Sequence, residues 1–130
     1  MEIYRIKIAS FGTGWNDIRI TEGTTEMRGE EVKVDYSLDG DACTLTVNGG
    51  KAVQKRCGEQ NVHILFEEGK TTECVFGNGG MSGSFLIFTN KIKLINSKGG
   101  FKLKLDYLSG RDREPVSLTF TALKKSWGTK

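Results

Sequence analysis

The stretch EVKVDYSLDG, residues 31–40, decides the fold, because apolar and polar residues alternate in it and a turn signal follows at once. Val32, Val34 and Tyr36 fall on one side of an extended chain, and the polar residues between them fall on the other. The stretch ends in an Asp-Gly pair, which tolerates the positive φ angles of a two-residue hairpin turn. The sequence therefore predicts a half-buried strand that enters a hairpin.

The same alternation recurs along the chain. FKLKLDY begins at Phe101 and VSLTFTA begins at Val116, and in both the apolar residues occupy every second position. Turn signals that contain glycine separate such segments at intervals of about ten residues, which is typical of antiparallel barrels and sandwiches. We predict strands at residues 2–10, 16–27, 31–38, 42–48, 51–57, 62–67, 70–77, 83–89, 91–97, 100–108 and 115–124.

These strands predict one all-β domain over residues 1–130, a closed antiparallel barrel of about ten strands in which the last strands pair with the first. Closure is the simplest way to remove exposed strand edges from a small domain. A barrel of this size either encloses one small ligand or is filled by its own side chains. Four large apolar side chains decide whether the barrel is hollow, because they leave no room for a ligand if they fill the interior. They are Phe66, Phe101, Leu103 and Phe120.

The segment GNGGMSGS, residues 77–84, fits either a phosphate-binding loop or a turn. A phosphate-binding loop needs a lysine after its last glycine and a following helix, whereas this segment has no lysine and precedes the strand pattern FLIFTN. A G-x-G-x-x-G fingerprint fails as well, because its last position is occupied by Ser82. We therefore predict a glycine-rich turn between two strands.

Composition places the chain in water. With 37% hydrophobic and 27% charged residues, it has no apolar run near the ~18 residues of a membrane span, and charges interrupt the apolar residues of its first ten positions. Cys43, Cys57 and Cys74 are odd in number and widely spaced, which predicts free thiols and neither a disulfide framework nor a metal site. We expect a cytoplasmic protein that needs no cofactor.

No catalytic constellation stands out in the sequence. His63 is the single histidine, and by alternation it faces away from Val62, Ile64 and Phe66, toward solvent. The acidic residues near the following turn are ordinary hairpin residues. An enzyme is therefore the least favoured class.

A small, partly apolar or amphipathic ligand is the first functional hypothesis, for a non-enzymatic barrel. Arg56 could anchor a carboxylate or phosphate, and its alternative role is to tie down a neighbouring loop carbonyl. The candidate lining residues are Arg56, Phe76, Phe88 and Tyr107.

The basic C-terminal third supports an alternative, an interaction module for an acidic protein or nucleic acid. Residues 91–130 contain ten basic and three acidic side chains, a local net charge of +7. Nucleic acid is the less favoured partner, because Phe101 and Tyr107 lie opposite in parity to Lys102 and Lys104, so no aromatic stacking platform accompanies the cations. The basic candidates are Lys91, Lys93, Lys98, Lys102 and Lys104, with Arg111 and Arg113 nearby.

Four segments between residues 35 and 123 resemble, in order and spacing, the small bacterial YwiB-like family. They are LTVNGGKAVQKRCG with Arg56 and Gly58, ILFEEGK with Phe66 and Gly69, the run from Cys74 through the glycines to Thr89, and GGFKLKLDY ending at Tyr107. This chain departs from the family in having Phe76 where a tyrosine is usual, and in a longer glycine cluster. The resemblance implies a calycin-like, lipocalin-like closed barrel, and it implies no established activity.

Overall fold

The structure is a computed structural model that describes residues 2–125, and over that range the chain is almost entirely β-strand. Several strands alternate buried and exposed residues, most clearly Glu31–Leu38, where Val32, Val34 and Tyr36 are buried. The all-β prediction is confirmed. The strands are β1 (Tyr4–Gly12), β2 (Trp15–Arg28), β3 (Glu31–Leu38), β4 (Asp41–Asn48), β5 (Lys51–Cys57), β6 (Gln60–Glu67), β7 (Thr71–Asn78), β8 (Met81–Ser97), β9 (Gly100–Ser109) and β10 (Glu114–Lys124).

The ten strands form one closed antiparallel barrel. Each strand pairs with its neighbour in the sequence, and β10 returns to pair with β1 through the register Tyr4 with Lys124 to Phe11 with Ser117. The predicted closure of the last strand on the first is confirmed. No helix within residues 2–125 is long and apolar enough to cross a membrane.

Strand β8 corrects the prediction of two separate strands at residues 83–89 and 91–97. The chain runs on as a single strand of 17 residues, whose first part pairs with β7 and whose second part pairs with β9. A register shift between Thr89 and Lys91 marks a bulge at the boundary between the two predicted strands. A bulge adds one residue and bends the strand, so it mimics a strand break in the sequence pattern.

The middle of the barrel is filled by side chains. Phe66, Phe101, Leu103 and Phe120 are each exposed by 2% or less, and all belong to one hydrophobic cluster. The Phe120 ring lies 5.4 Å from the Tyr36 ring and 6.0 Å from the Phe101 ring, measured between centroids. These four residues therefore build a packed core, as in other small barrels.

The glycine cluster is a hairpin turn. Strand β7 ends at Asn78 and β8 begins at Met81, and the two residues between them, Gly79 and Gly80, have φ angles of 57° and 89°. Positive φ at both central residues is the requirement of a type I′ turn, which glycine meets without strain. The predicted turn is confirmed, and a strand follows it.

Candidate functional site

A buried carboxylate lies at one end of the barrel. Asp41, at the start of β4, is 4% exposed, and it accepts hydrogen bonds from Arg56 Nε at 2.8 Å and from the backbone N–H groups of Glu59 and Gln60 at 2.9 and 3.2 Å. It thereby joins the β3–β4 turn to the β5–β6 turn. Asp41 lies in phase with the buried apolar residues of β4, and an acid at such a position is the sequence signal of a paired buried charge.

The guanidinium of Arg56 has three partners at this end. Besides Asp41, it donates to the backbone carbonyl of Leu38 at 3.4 Å, and its Nη2 lies 3.7 Å from a carboxylate oxygen of Asp39. The Arg56 side chain is 15% exposed. On sequence alone Arg56 fits either a ligand anchor or a residue that ties down a loop, and these contacts are those of the second role.

The pKa of the Asp41 carboxyl lies below the ordinary value of 3.8. The hydrogen bond from Arg56 is the largest cause, and the hydrogen bond from the Glu59 N–H is the second largest. The pKa of the more exposed Asp39 is lowered mainly by a hydrogen bond from Arg19, at 2.6 Å. Both carboxylates are therefore held in the ionised form.

Stability should depend on Asp41 ionisation in acid. The folded-state pKa of Asp41 lies below 3.8, so the ionised carboxylate stabilises the folded protein fully above that pH. This contribution to the free energy of unfolding is lost as the pH falls through the folded-state pKa. An Asp41→Asn variant should be less stable than the wild type at neutral pH, and the difference should shrink below pH 3.8. Urea unfolding across this pH range measures both free energies; a difference that stays constant with pH would contradict the assignment.

Phe76 and Tyr107 occupy different environments. Phe76 is 41% exposed, packs on Phe85 at 6.0 Å between ring centroids, and lines a surface hollow of about 470 Å³ together with Arg56. Tyr107 instead packs against Phe66 at 5.1 Å, where burial raises its pKa to about 12. The structure thus brings Arg56 and Phe76 together and places Tyr107 on the core.

Phe88 lies on the outer side of the barrel. Its neighbours Ile87 and Thr89 are 1% and 0% exposed, so the alternation directs Phe88 away from the core. This corrects the expectation that Phe88 lines the interior with the other candidates. Phe88 instead belongs to a surface cavity of about 520 Å³, the Phe88 groove, lined by Thr71, Ser84, Phe85, Leu86, Ile87, Phe88, Leu108, Gly110, Arg111 and Arg113.

Two arginines border the Phe88 groove. Arg111 and Arg113 belong to the β9–β10 turn, which Gly110 fastens to β8 through a hydrogen bond from its N–H to the Leu86 carbonyl, at 2.9 Å. Within residues 2–125, neither guanidinium forms an ion pair. Arg113 has a φ of 51°, a backbone conformation that is uncommon for a residue with a side chain.

The basic candidates gather on one outer surface. Lys91 and Lys93 of β8 and Lys102 and Lys104 of β9 are exposed on the same side of the sheet, and Lys98 lies in the turn between the two strands. Lys7 of β1 lies on the same outer surface, with β10 between it and the lysines of β9. The sequence analysis did not place Lys7 there, because about 85 residues separate it from Lys91.

The remaining candidates match their expected positions. His63 is exposed, and the three cysteines are free, with Cys43 and Cys74 buried and Cys57 exposed. In the described part of the chain, no three His, Cys, Asp or Glu side chains lie close enough to hold a metal ion.

Comparisons with known proteins agree with this architecture. The model of the family described as "Domain of unknown function (DUF1934)" matches residues 20–117. Among solved structures, the crystal structure of ywiB protein from Bacillus subtilis matches with a TM-score of 0.77 and 16% identity, over 94% of this chain and 89% of that chain. No curated protein sequence matches. The resemblance to the YwiB-like family and the closed antiparallel barrel are confirmed, the barrel is consistent with a calycin-like fold, and at this identity the structural likeness concerns the fold alone.

Proposed function

Because this chain belongs to the DUF1934 family, whose description gives no function, we propose a function from its own surface: it binds a small amphipathic anion in the Phe88 groove. Such a ligand has an apolar body and one carboxylate, sulfonate or phosphate group. The protein acts as a binding protein for this molecule in the bacterial cytoplasm, where its three free cysteines stay reduced.

One observation supports this proposal above the others, the pairing of an apolar floor with two arginines that have no acidic partner among residues 2–125. Leu86, Phe88 and Leu108 supply the floor, and Arg111 and Arg113 stand at its border. Guanidinium groups bind carboxylate and phosphate oxygens with two parallel hydrogen bonds.

The dimensions fit a small molecule. Ligand cavities usually measure about 300–1,000 Å³ and combine apolar walls with a few placed polar groups. The groove has a volume of about 520 Å³ and adds Thr71 and Ser84 to its apolar lining, with the Ser84 hydroxyl donating to the Glu73 carboxylate at 3.3 Å. Since Phe66, Phe101 and Phe120 fill the barrel interior, a surface groove is the better place for a ligand.

The hollow next to Arg56 and Phe76 is a weaker candidate. Its volume of about 470 Å³ is similar, but the Arg56 guanidinium already serves Asp41 and the Leu38 carbonyl. Lys55, the other cation of the hollow, is a single flexible point charge and offers no two-point contact to an anion.

A matched pair of dyes tests the proposal. Anilinonaphthalene sulfonate is an amphipathic anion, and N-phenylnaphthylamine is the same aromatic body without the sulfonate. An Arg111→Gln/Arg113→Gln double variant should bind the sulfonate about tenfold more weakly, as expected for losing charge-assisted hydrogen bonds at a partly exposed site. Its affinity for the neutral dye should stay unchanged. Fluorescence titration measures both.

Two control variants separate a loss of binding in the groove from the effects of a changed net charge or of a lost exposed ring. Arg5→Gln/Arg28→Gln changes the net charge equally at exposed arginines of β1 and β2, and it should leave both affinities unchanged. Phe88→Ala should weaken both dyes, whereas Phe11→Ala, at a 46% exposed ring outside the groove lining, should weaken neither. Equal loss of the sulfonate in both arginine double variants would refute the site.

A further inference from the structure

We propose that the outer face of β8, β9, β10, β1 and β2 is a docking surface for an acidic protein. Its centre is the lysine face, defined by Lys7, Lys91, Lys93, Lys102 and Lys104, which are all exposed. This surface is separate from the Phe88 groove, and none of its lysines lines that groove. The inference therefore stands independently of the proposed ligand.

The register of the sheet assembles two neighbouring rows of side chains across five strands. One row runs Ile95, Lys102, Thr121, Lys7, Ile20, and the other runs Lys93, Lys104, Thr119, Ala9, Ile18. Four steps between strands span about 19 Å at the usual spacing of about 4.8 Å. The face is thus wide enough to meet the centre of a protein interface of ordinary size.

Two lysines are opposite each other on this surface, an arrangement that folding alone does not favour. Lys93 and Lys104 are directly opposite each other on β8 and β9, and like charges at such positions destabilise a sheet. Within residues 2–125 no acidic side chain forms an ion pair with either lysine. The nearest acid in register, Asp106, is opposite Lys91 and accepts a hydrogen bond from the Ser117 hydroxyl at 2.8 Å.

The exposed isoleucines favour a protein partner over a nucleic acid. Ile18, Ile20 and Ile95 are 52%, 68% and 38% exposed at the two ends of the lysine rows. Aliphatic side chains gain free energy only against another apolar surface, which a phosphate backbone lacks. Single-stranded nucleic acid would instead need aromatic side chains between the cations, and neither row contains one. The fitting partner is an acidic protein surface that also presents apolar side chains.

A labelled copolymer of glutamate and tyrosine serves as the probe, because it combines carboxylates with apolar rings. Lys102→Gln/Lys104→Gln should bind it about tenfold more weakly than the wild type at low salt, because the variant loses two exposed charge pairs with the probe. The control Lys33→Gln/Lys55→Gln makes the same charge change at exposed lysines of β3 and β5 and should bind as the wild type does. Fluorescence anisotropy measures the dissociation constants.

Two further variants, one of a lysine and one of two isoleucines, test the proposal. Lys104→Gln should raise the thermal midpoint, since it removes the repulsion from Lys93, while it weakens copolymer binding; a lower midpoint would assign the lysine a structural role and overturn the proposal. Ile18→Ser/Ile20→Ser should also weaken copolymer binding. No copolymer binding, equal loss in the control, or tighter binding of a thymidine oligonucleotide of matched charge would each overturn the acidic-protein assignment.

Discussion

Replacing Phe120 by alanine should lower the free energy of unfolding by about 3–5 kcal/mol, the usual cost of removing a buried aromatic ring. Phe120 is 2% exposed, and its ring lies 5.4 Å from the Tyr36 ring of β3 and 6.0 Å from the Phe101 ring of the neighbouring strand β9, measured between centroids. Its removal leaves a cavity that the closed sheet cannot collapse to fill. Urea unfolding at neutral pH measures the loss.

Phe11→Ala is the matched control, because Phe11 is an aromatic residue that is 46% exposed on the neighbouring strand β1. This variant should lose less than about 1 kcal/mol, as exposed substitutions usually do. Equal losses in the two variants would contradict a packed interior. Phe120→Ala should also keep its affinity for anilinonaphthalene sulfonate, since the Phe88 groove lies on the outer side.

Gly58→Ala should destabilise the protein by about 3 kcal/mol or more, because the backbone conformation and the space both exclude a side chain. Gly58 has a φ of 155°, and a methyl carbon at this position would overlap Asp41 Oδ1. Asp41 cannot move aside without losing its bonds to Arg56, Glu59 and Gln60. The end of the barrel would therefore open.

A nearby glycine provides the comparison. Gly50, in the β4–β5 turn, has an ordinary φ, and its nearest atom to an added methyl carbon is Glu68 Cβ at 3.8 Å. Gly50→Ala should change the free energy of unfolding by no more than about 0.5 kcal/mol. Thermal unfolding of both variants measures the difference; a Gly58→Ala protein as stable as Gly50→Ala would show that the Asp41 contacts do not hold the barrel end.

The barrel could be predicted from the sequence because its information is local. Val32, Val34 and Tyr36 alternate with polar residues, and the side of each strand that faces the core is therefore visible in the sequence. Two-residue turns then leave the chain little choice but antiparallel pairing of neighbours. Closure of the sheet into a barrel was predicted because it is the simplest way to leave no strand edge exposed.

The position of Phe88 could not be predicted in the same way. The segment FLIFTN has apolar residues on both sides, so alternation assigns it no orientation, and only the burial of Ile87 and Thr89 reveals it. The bulge between Thr89 and Lys91 then changes the phase of the second half of β8. A pattern with a period of two cannot report such a change.

The Phe88 groove itself depends on contacts between distant segments. Leu86 and Arg111 are 25 residues apart in the sequence, and the hydrogen bond from Gly110 to Leu86 brings their segments together. Lys7 and Lys91 meet on the outer face only because β10 closes on β1. Alternation predicts which residues lie outside, whereas the neighbours of each exposed residue require the closed topology.

Mapping of backbone amide chemical shifts during titration with anilinonaphthalene sulfonate tests the central claim, that the ligand site lies outside a filled barrel. The account predicts that the largest shifts fall in residues 84–88 and 108–113, which form the Phe88 groove. Amides near Phe101, on the core side of β9, should shift little. Largest shifts around Arg56 and Phe76, or throughout the inward-facing core residues, would contradict it.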